Sequence, residues 1–280
     1  MPQSEAQPLL ISGLPGRMAA EVAHLAHEAP DMALHSVGLT SDARHASRFT
    51  VDTHEIRLIA PDREPVDLPP GTIAVDYSTP DAALSNARWL VARGIPFVMG
   101  TTGFDAAELK AAISESSVAA VAAPNMAAPI VLLQAALRWL ADEFPGSCRE
   151  TTLSVRESHQ KGKRDTSGTA RALVDSFRRL GIDCNESLIE SIRDPERQRG
   201  QLRVPEAYLH AHAFHRYELG AAGDTVGLAL EHNVLGRRVY AEGTLQAIRF
   251  LRGQIARGAA GRLFSMEDVL RGSAALPGTG

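Results

Sequence analysis

From Leu9 to Ala122, short apolar runs alternate with segments of helical spacing, and this alternation constrains the fold more than any other feature of the chain. It is the pattern of a parallel sheet whose strands are joined by crossover helices. Leu9–Ser12, Met32–Val37, Thr72–Asp76, Pro96–Met99 and Val118–Ala122 read as strands. The helix after the first strand carries Met18, Val22, Leu25 and Ala26 on one face. Ser78-Thr79-Pro80-Asp81 is a helix start, with a hydroxyl cap, an early proline and then an acid. That helix ends before Gly94, and Asp105–Ser114 is a further helix. Between Phe49 and Asp67 the sequence is polar and proline-containing and defines no clear element.

Beyond PNMAAP a long helical pattern runs from Ile130 to Glu143 and is stopped by Pro145-Gly146. The character then changes. Thr152–Glu157 sets Leu153 and Val155 opposite Ser154 and Arg156, the alternation of a half-buried strand. The next helix carries Ala170, Leu173, Val174, Phe177 and Leu180, with Gly181 just past its end. Thr225–Glu231 is a second alternating strand, with Val226, Leu228 and Leu230 on one side, and a final helix from Thr244 buries Leu245, Ile248, Leu251 and Ile255. The expected fold is α/β: an N-terminal Rossmann-like dinucleotide-binding domain plus a mixed α+β second domain. The expected boundaries are 1–126, with about 240–280 returning, for the first domain and 127–239 for the second.

At 280 residues the chain can bury a substantial core, and a net charge of −4 gives it no global attraction to nucleic acid or to a membrane surface. Cys148 and Cys184 are the only cysteines, without the spacing of a thiolate metal site or a disulfide framework. No metal is expected. No apolar run reaches transmembrane length, and the opening MPQSEAQ lacks the form of a signal peptide. The expected compartment is the cytoplasm, or the plastid stroma if a transit peptide has been removed.

Three turns belong to one sheet edge. LLISGLPGRMAAEV places Gly13 and Gly16 between the first strand and the first helix, where backbone N–H groups can approach a pyrophosphate. The spacing is G-x-x-G-x-x-A, with Ala19 in place of a third glycine, so a plain strand-to-helix turn is the other reading. Leu14, Pro15, Arg17 and Met18 complete this turn. VMGTTGF and AAPNMAAP end the fourth and fifth strands and offer Gly100, Thr101, Thr102, Pro124, Asn125 and Met126 to a cofactor, with Thr102 also facing substrate. The second strand ends in SVGLTSDARHASR, where Asp42 comes late while Thr40, Ser41, Arg44 and Arg48 are at hand. This favours NADPH over NADH, since an acid would read the ribose hydroxyl and an arginine the 2′-phosphate.

The most charged stretch is ESHQKGKRDTSGTA, residues 157–170. Ser167 stands at an N-cap position, with Gly168, Thr169 and Ala170 opening a helix whose first N–H groups lack internal partners. A substrate carboxylate gains hydrogen bonds there and the positive end of the helix dipole. His159 and Lys163, just upstream, are the residue types that deliver a proton near neutral pH. Lys161 and Arg164 read as solvated, and His24, His27, His35, His45, His54 and His210 as structural.

With these residues in hand, the chain resembles the dihydrodipicolinate (4-hydroxy-tetrahydrodipicolinate) reductases, whose bacterial members carry E-x-H-H-x-x-K-x-D-A-P-S-G-T-A. Here Gln160 replaces the second His and the proline is missing, departures that match the plant-type branch. YSTPDAALSNARWLVARGIPFVMGTTGF, FPGSCRETTLSVRESHQ, SIRDP, HAHAFHRYEL and HNVLGRRVYAEGT extend the resemblance over nearly the whole chain. It implies hydride transfer from NAD(P)H to C4 of a cyclic dicarboxylate in diaminopimelate and lysine synthesis, with net loss of water. It also implies His159 as proton donor and acceptor, Lys163 as a second proton donor, and Ser167, Gly168 and Thr169 as a carboxylate seat. Gln160 and Arg237 would add substrate contacts, with Arg238 pointing away; His232 would either orient in the same pocket or serve the strand end. A homodimer or homotetramer is implied as well. The alternatives are a reductase of another cyclic imine and a non-catalytic assembly protein that keeps the fold.

Overall fold

A computed structural model describes residues 6–40, 47–61, 66–163, 166–221 and 226–274. The chain forms two compact units, Met1–Ala128 with Arg238–Gly280, and Pro129–Arg237.

The first unit is built on a twisted sheet. Its strands are β1 (Gln7–Ser12), β2 (Met32–Leu34), β3 (Val37–Leu39), β4 (Arg48–Val51), β5 (His54–Ile59), β6 (Ile73–Asp76), β7 (Phe97–Met99), β8 (Ala119–Ala122) and, far along the chain, β13 (Arg262–Phe264). They lie in the order β13-β8-β7-β6-β1-β3-β5-β4, with β2 also paired to β1. All pairings are parallel except β4 with β5. Chain direction along the sheet reverses at β1, giving the doubly wound arrangement expected from the alternating sequence. Leu9, Leu10, Ile73, Val75, Phe97 and Val98 are all at most 1% exposed, because helices cover both faces of such a sheet.

The helices α1 (Arg17–Glu28), α2 (Pro80–Ala92) and α3 (Ala106–Ser114) are the crossovers. In α1 the buried stripe is Ala19, Val22, Ala23 and Ala26, while Met18 and Leu25 are only half-buried. Small residues let this helix lie close to the sheet. Thr79 does occupy the N-cap of α2, but its side chain makes no capping bond among the described residues, and Pro80 starts the helix by its fixed φ. The segment without a clear sequence signal, Phe49 to Asp67, contains the β4–β5 hairpin, whose exposed face carries the Arg48–Glu55 ion pair at 3.0 Å. The expected single strand Met32–Val37 is two short strands, since His35 donates its backbone N–H to Leu9 O and leaves the edge of β1.

The second unit opens with α4 (Ala128–Glu143) and contains β9 (Thr151–His159), α5 (Gly168–Arg179), β10 (Ile189–Ile192), α6 (Pro195–Leu202), β11 (His212–Ala221) and β12 (Gly227–Leu235). Its sheet runs β10-β9-β11-β12, with β10 parallel to β9 and the rest antiparallel. Leu153, Val155, Leu173, Phe177 and Tyr217 form its core with Leu137 and Ala141 of α4. Gly181, at φ +100°, takes the left-handed turn that follows α5. Of the residues expected on one side of the last strand, Val226, just before β12, and Leu228 are 62% and 55% exposed, and β12 is an edge strand. The last long helix, α7 (Arg238–Ala256), begins six residues before Thr244 and is followed by β13 and α8 (Met266–Ala274).

Candidate active site

In the first unit the strand ends gather at one edge of the parallel sheet. Gly13 follows β1 at φ +100°, and a Cβ there would lie 2.2 Å from Tyr77 O, so only glycine fits. A Cβ on Gly16 would meet Gly13 O at 2.6 Å. Gly16 is the N-cap of α1 and brings no side-chain cap, which leaves backbone N–H groups as the chemistry of that helix end. Leu14 is buried, Pro15 and Arg17 are exposed, and Met18 is half-buried. A bare, glycine-lined helix start beside the point where strand order reverses fits a dinucleotide pyrophosphate.

The same edge is tied together by Asp76, whose side chain is fully buried at the end of β6. Its Oδ2 accepts from Ser12 Oγ and Asn86 Nδ2, both at 2.8 Å. Its Oδ1 accepts from Ser78 Oγ at 2.8 Å and Thr101 Oγ1 at 2.6 Å. The Thr101 hydroxyl, expected to face a ligand, therefore points inward as a brace for the strand ends. Thr102 is exposed after β7. Gly100 lies on the Tyr77 ring, where a Cβ would stand 2.2 Å from ring carbon, and Tyr77 OH is 2.6 Å from Thr244 Oγ1 of α7. Burial pushes the Tyr77 hydroxyl up to about 12, so it remains a protonated donor. Asn125 caps its own turn, with Oδ1 accepting from Ala127 N at 2.9 Å, Pro124 is exposed, and Met126 is buried under Gly243 of α7. Thr40 follows β3, its N–H bonded to Ile59 O at 2.9 Å. Arg48 is drawn into its pair with Glu55, while Ser41, Asp42, Arg44 and His45 lie outside the described residues.

In the second unit His159 closes β9 with its side chain 12% exposed. Its Nδ1 lies 2.5 Å from Oε2 of Glu157, whose side chain has no exposure at all. Residues two apart on a strand share a face, so β9 itself sets this pair. Arg193 clasps the same carboxylate with Nη1 to Oε2 at 3.0 Å and Nη2 to Oε1 at 2.6 Å, and Ser191 Oγ donates at 2.6 Å. Burial drives the Glu157 carboxyl up, but the hydrogen bonds from His159, Arg193 and Ser191 outweigh it and hold the group below the ordinary carboxylate range. Lys163 follows through a turn in which its N–H bonds Gln160 O at 3.0 Å, and Arg193 Nε donates to Lys163 O at 3.1 Å. Gln160 and Lys163 are half-buried and Lys161 is exposed, while Arg164 lies outside the described residues.

Ser167 is the N-cap of α5, as expected, and accepts from Ala170 N at 3.4 Å. Its hydroxyl is also 2.8 Å from His215 Nε2, so this side chain is committed within the protein, and the expected seat falls to the backbone of Gly168 and Thr169. Gly168 is exposed with open space around its Cα, and Thr169 is half-buried. His215 joins the two halves of the motif, since its ring centroid lies 5.2 Å from that of His159 in an edge-on arrangement. His232 stacks on His215 at 4.5 Å, and neither of its ring nitrogens has a hydrogen-bond partner among the described residues. Burial, and then the charge of His159, lowers the His232 pKa to about 4. Burial also holds His215 well below its ordinary value. Arg237 is half-buried at the end of the second unit, while Arg238 turns to Glu28 at 3.2 Å and Glu242 at 3.3 Å.

The sequence reading omitted Glu157, Ser191, Arg193, Gln198 and His215. Glu157 could have been found from its i, i+2 spacing to His159. Arg193 could not, because only the parallel pairing of β10 with β9, Ser191 opposite Glu157, brings it near.

Comparison with known proteins places these two arrangements in one family pattern. Residues 7–126 match the family model for the N-terminus of dihydrodipicolinate reductase, and residues 129–270 match that for its C-terminus. The chain is 37% identical over 276 residues to probable 4-hydroxy-tetrahydrodipicolinate reductase 1, chloroplastic, of Oryza sativa subsp. japonica, covering 96% of this chain and 80% of that protein. It is 38% identical over 269 residues to 4-hydroxy-tetrahydrodipicolinate reductase 1, chloroplastic, of Arabidopsis thaliana, covering 94% and 77%. A dipicolinate-bound dihydrodipicolinate reductase from Paenisporosarcina sp. TG-14 shares the fold, with a TM-score of 0.65 at 19% identity over 93% of this chain and 97% of that one.

Proposed function

The chain belongs to the dihydrodipicolinate reductase family, and from that premise we infer how its two units divide the reaction. The protein is an oxidoreductase of diaminopimelate and lysine synthesis, a 4-hydroxy-tetrahydrodipicolinate reductase acting with a nicotinamide cofactor. When bound, that cofactor supplies the hydride that goes to C4 of the ring. The first unit holds the pyrophosphate on Gly13–Met18 and the nicotinamide end along Gly100–Thr102 and Pro124–Met126. Small residues and backbone amides at these turns support that assignment.

The second unit holds the dicarboxylate and moves the proton. Gly168 and Thr169, at the start of α5, bind one carboxylate, and Gln160 and Arg237 supply further contacts. The substrate loses water and gains hydride, so a proton must reach the neighbouring ring carbon. His159 delivers it, and the ammonium of Lys163 favours the charge that develops. The observation that carries this reading is the His159 imidazole at a strand end, mostly buried and backed at 2.5 Å by the Glu157 carboxylate.

NADPH is the preferred donor in this reading, since Thr40 follows β3 and the sequence next brings Ser41, Arg44 and Arg48, with Asp42 late. The protein works as a homo-oligomer: Trp139 of α4, Phe144 just after that helix and Leu228 of β12 are more than half exposed, apolar area of the kind that a partner covers. A cytoplasmic location suits the free thiols Cys148 and Cys184, and no described helix is long and apolar enough to cross a membrane. The test is NADPH oxidation with freshly generated 4-hydroxy-tetrahydrodipicolinate. Turnover is expected, with kcat/KM higher for NADPH than for NADH. His159→Ala and Lys163→Ala are each expected to lower kcat by roughly 10²-fold or more, the scale of a lost proton-transfer group. Full kcat in either variant removes that residue from its role.

A further inference from the structure

We propose that Glu157 and Arg193 are the positioning residues of this site: they fix the hydrogen of His159 on Nδ1, leave Nε2 as the atom that exchanges the proton, and hold the Lys163 loop in place. The inference rests on the assignment of His159 and Lys163 as the proton-handling pair.

Glu157 receives His159 Nδ1 and Arg193 Nη1 on Oε2, and Arg193 Nη2 and Ser191 Oγ on Oε1. Arg193 is a donor only, and the Ser191 hydroxyl is directed at Oε1, so the buried group is a carboxylate and can only accept. Nδ1 of His159, 2.5 Å away, is then the side that carries hydrogen. A neutral imidazole has one protonated nitrogen and one bare one. Nε2 is therefore the position at which the ring gains and loses its proton.

Arg193 does more than balance the charge of Glu157. Its Nε reaches Lys163 O at 3.1 Å, so one planar guanidinium spans the orienting carboxylate and the backbone of the second proton donor. The backbone of His159 is pinned as well: Gln198, 1% exposed, donates from Nε2 to His159 O at 2.8 Å and to Ile192 O at 3.2 Å. The other ionisable groups facing His159 are His215 of β11 and His232 of β12, with His212 close to Ser158. Burial favours the neutral form of all three. The local charge at His159 thus comes from the Glu157–Arg193 pair.

The decisive experiment is a double-mutant cycle on folded enzyme, with thermal melts as the check on folding. Glu157→Gln is expected to lower kcat roughly tenfold or more, with the substrate KM within about threefold of the parent and a displaced acid limb in the pH profile. In a His159→Ala background the same change should cost less than about twofold, because a residue that acts through His159 has nothing left to act on. Arg193→Lys keeps the charge but not the fork, so its kcat should fall in the same His159-dependent way, and it serves as the test if Glu157→Gln does not fold. Nitrogen-15 NMR of the neutral His159 ring should show the Nδ1–H tautomer in the parent and a mixture in Glu157→Gln. Unchanged kcat in both single variants, additive losses with His159→Ala, or an Nε2–H tautomer in the parent overturns the inference alone. A His159→Ala enzyme with full kcat overturns it together with the functional reading beneath it.

Discussion

Gly100 shows how a single missing side chain shapes the cofactor edge. The Tyr77 ring occupies the space a Cβ would need, and the Tyr77 hydroxyl is anchored on Thr244, so neither partner can retreat freely. Gly100→Ala is expected to cost about 1–3 kcal/mol in urea unfolding, the usual scale of overpacking. It should also weaken NADPH binding severalfold in fluorescence titration, and Tyr77→Leu in the same chain should recover part of the stability. No recovery would place the cost elsewhere than in this contact. The sequence marked Gly100 as a close-approach position but could not say what approaches it. Tyr77 and Thr244 are far apart in the chain, and only the parallel sheet and the return of α7 bring them together. The same holds for the proposed proton site: His159, Lys163 and the cap at Ser167 are local and legible, whereas Arg193 and His215 arrive through strand register.

At the level of elements, β9, β11 and β12 turn one face toward a shared polar layer, with Glu157, His215 and His232 opposite one another in register. Burial lowers His215 and His232, the latter to about 4 from an ordinary value of 6.5. The unfolded chain therefore binds more protons than the folded one across that interval, and stability rises with pH through it. It is complete above about 6.5 and is lost progressively as the pH falls toward about 4. The urea midpoint is expected to drop between pH 7 and pH 4.5, and His232→Asn, which cannot take up a proton, should flatten the curve. An equally steep curve in that variant would assign the dependence to other groups. Elements with continuous apolar runs, β1, β6, β7 and β8, were readable because both sheet faces are covered. The β4–β5 hairpin was not, since its signal is an exposed charge pair, and alternation alone does not reveal that β12 is an edge.

For the molecule as a whole, the first unit is discontinuous: Arg238–Gly280 belongs with Met1–Ala128. α7 supplies Thr244 to Tyr77 and Gly243 to Met126, where a Cβ would stand 1.8 Å from Met126 O, and β13 extends the sheet beside β8. A chain stopped after Arg237 is accordingly expected to lose NADPH binding entirely, measured by titration of cofactor fluorescence. Retained affinity would show that the nucleotide edge assembles without its returning segment. This layout also imposes an order of events during synthesis. All of Pro129–Arg237 emerges from the ribosome ahead of α7, β13 and α8, so the inserted unit can complete its own core first. The sheet edge proposed for the nucleotide can only close once β13, which ends at Phe264, has emerged. On the proposed assignment, the nascent chain acquires its proton-handling layer before it can hold the reductant, and the last step of maturation is the one that makes cofactor binding possible.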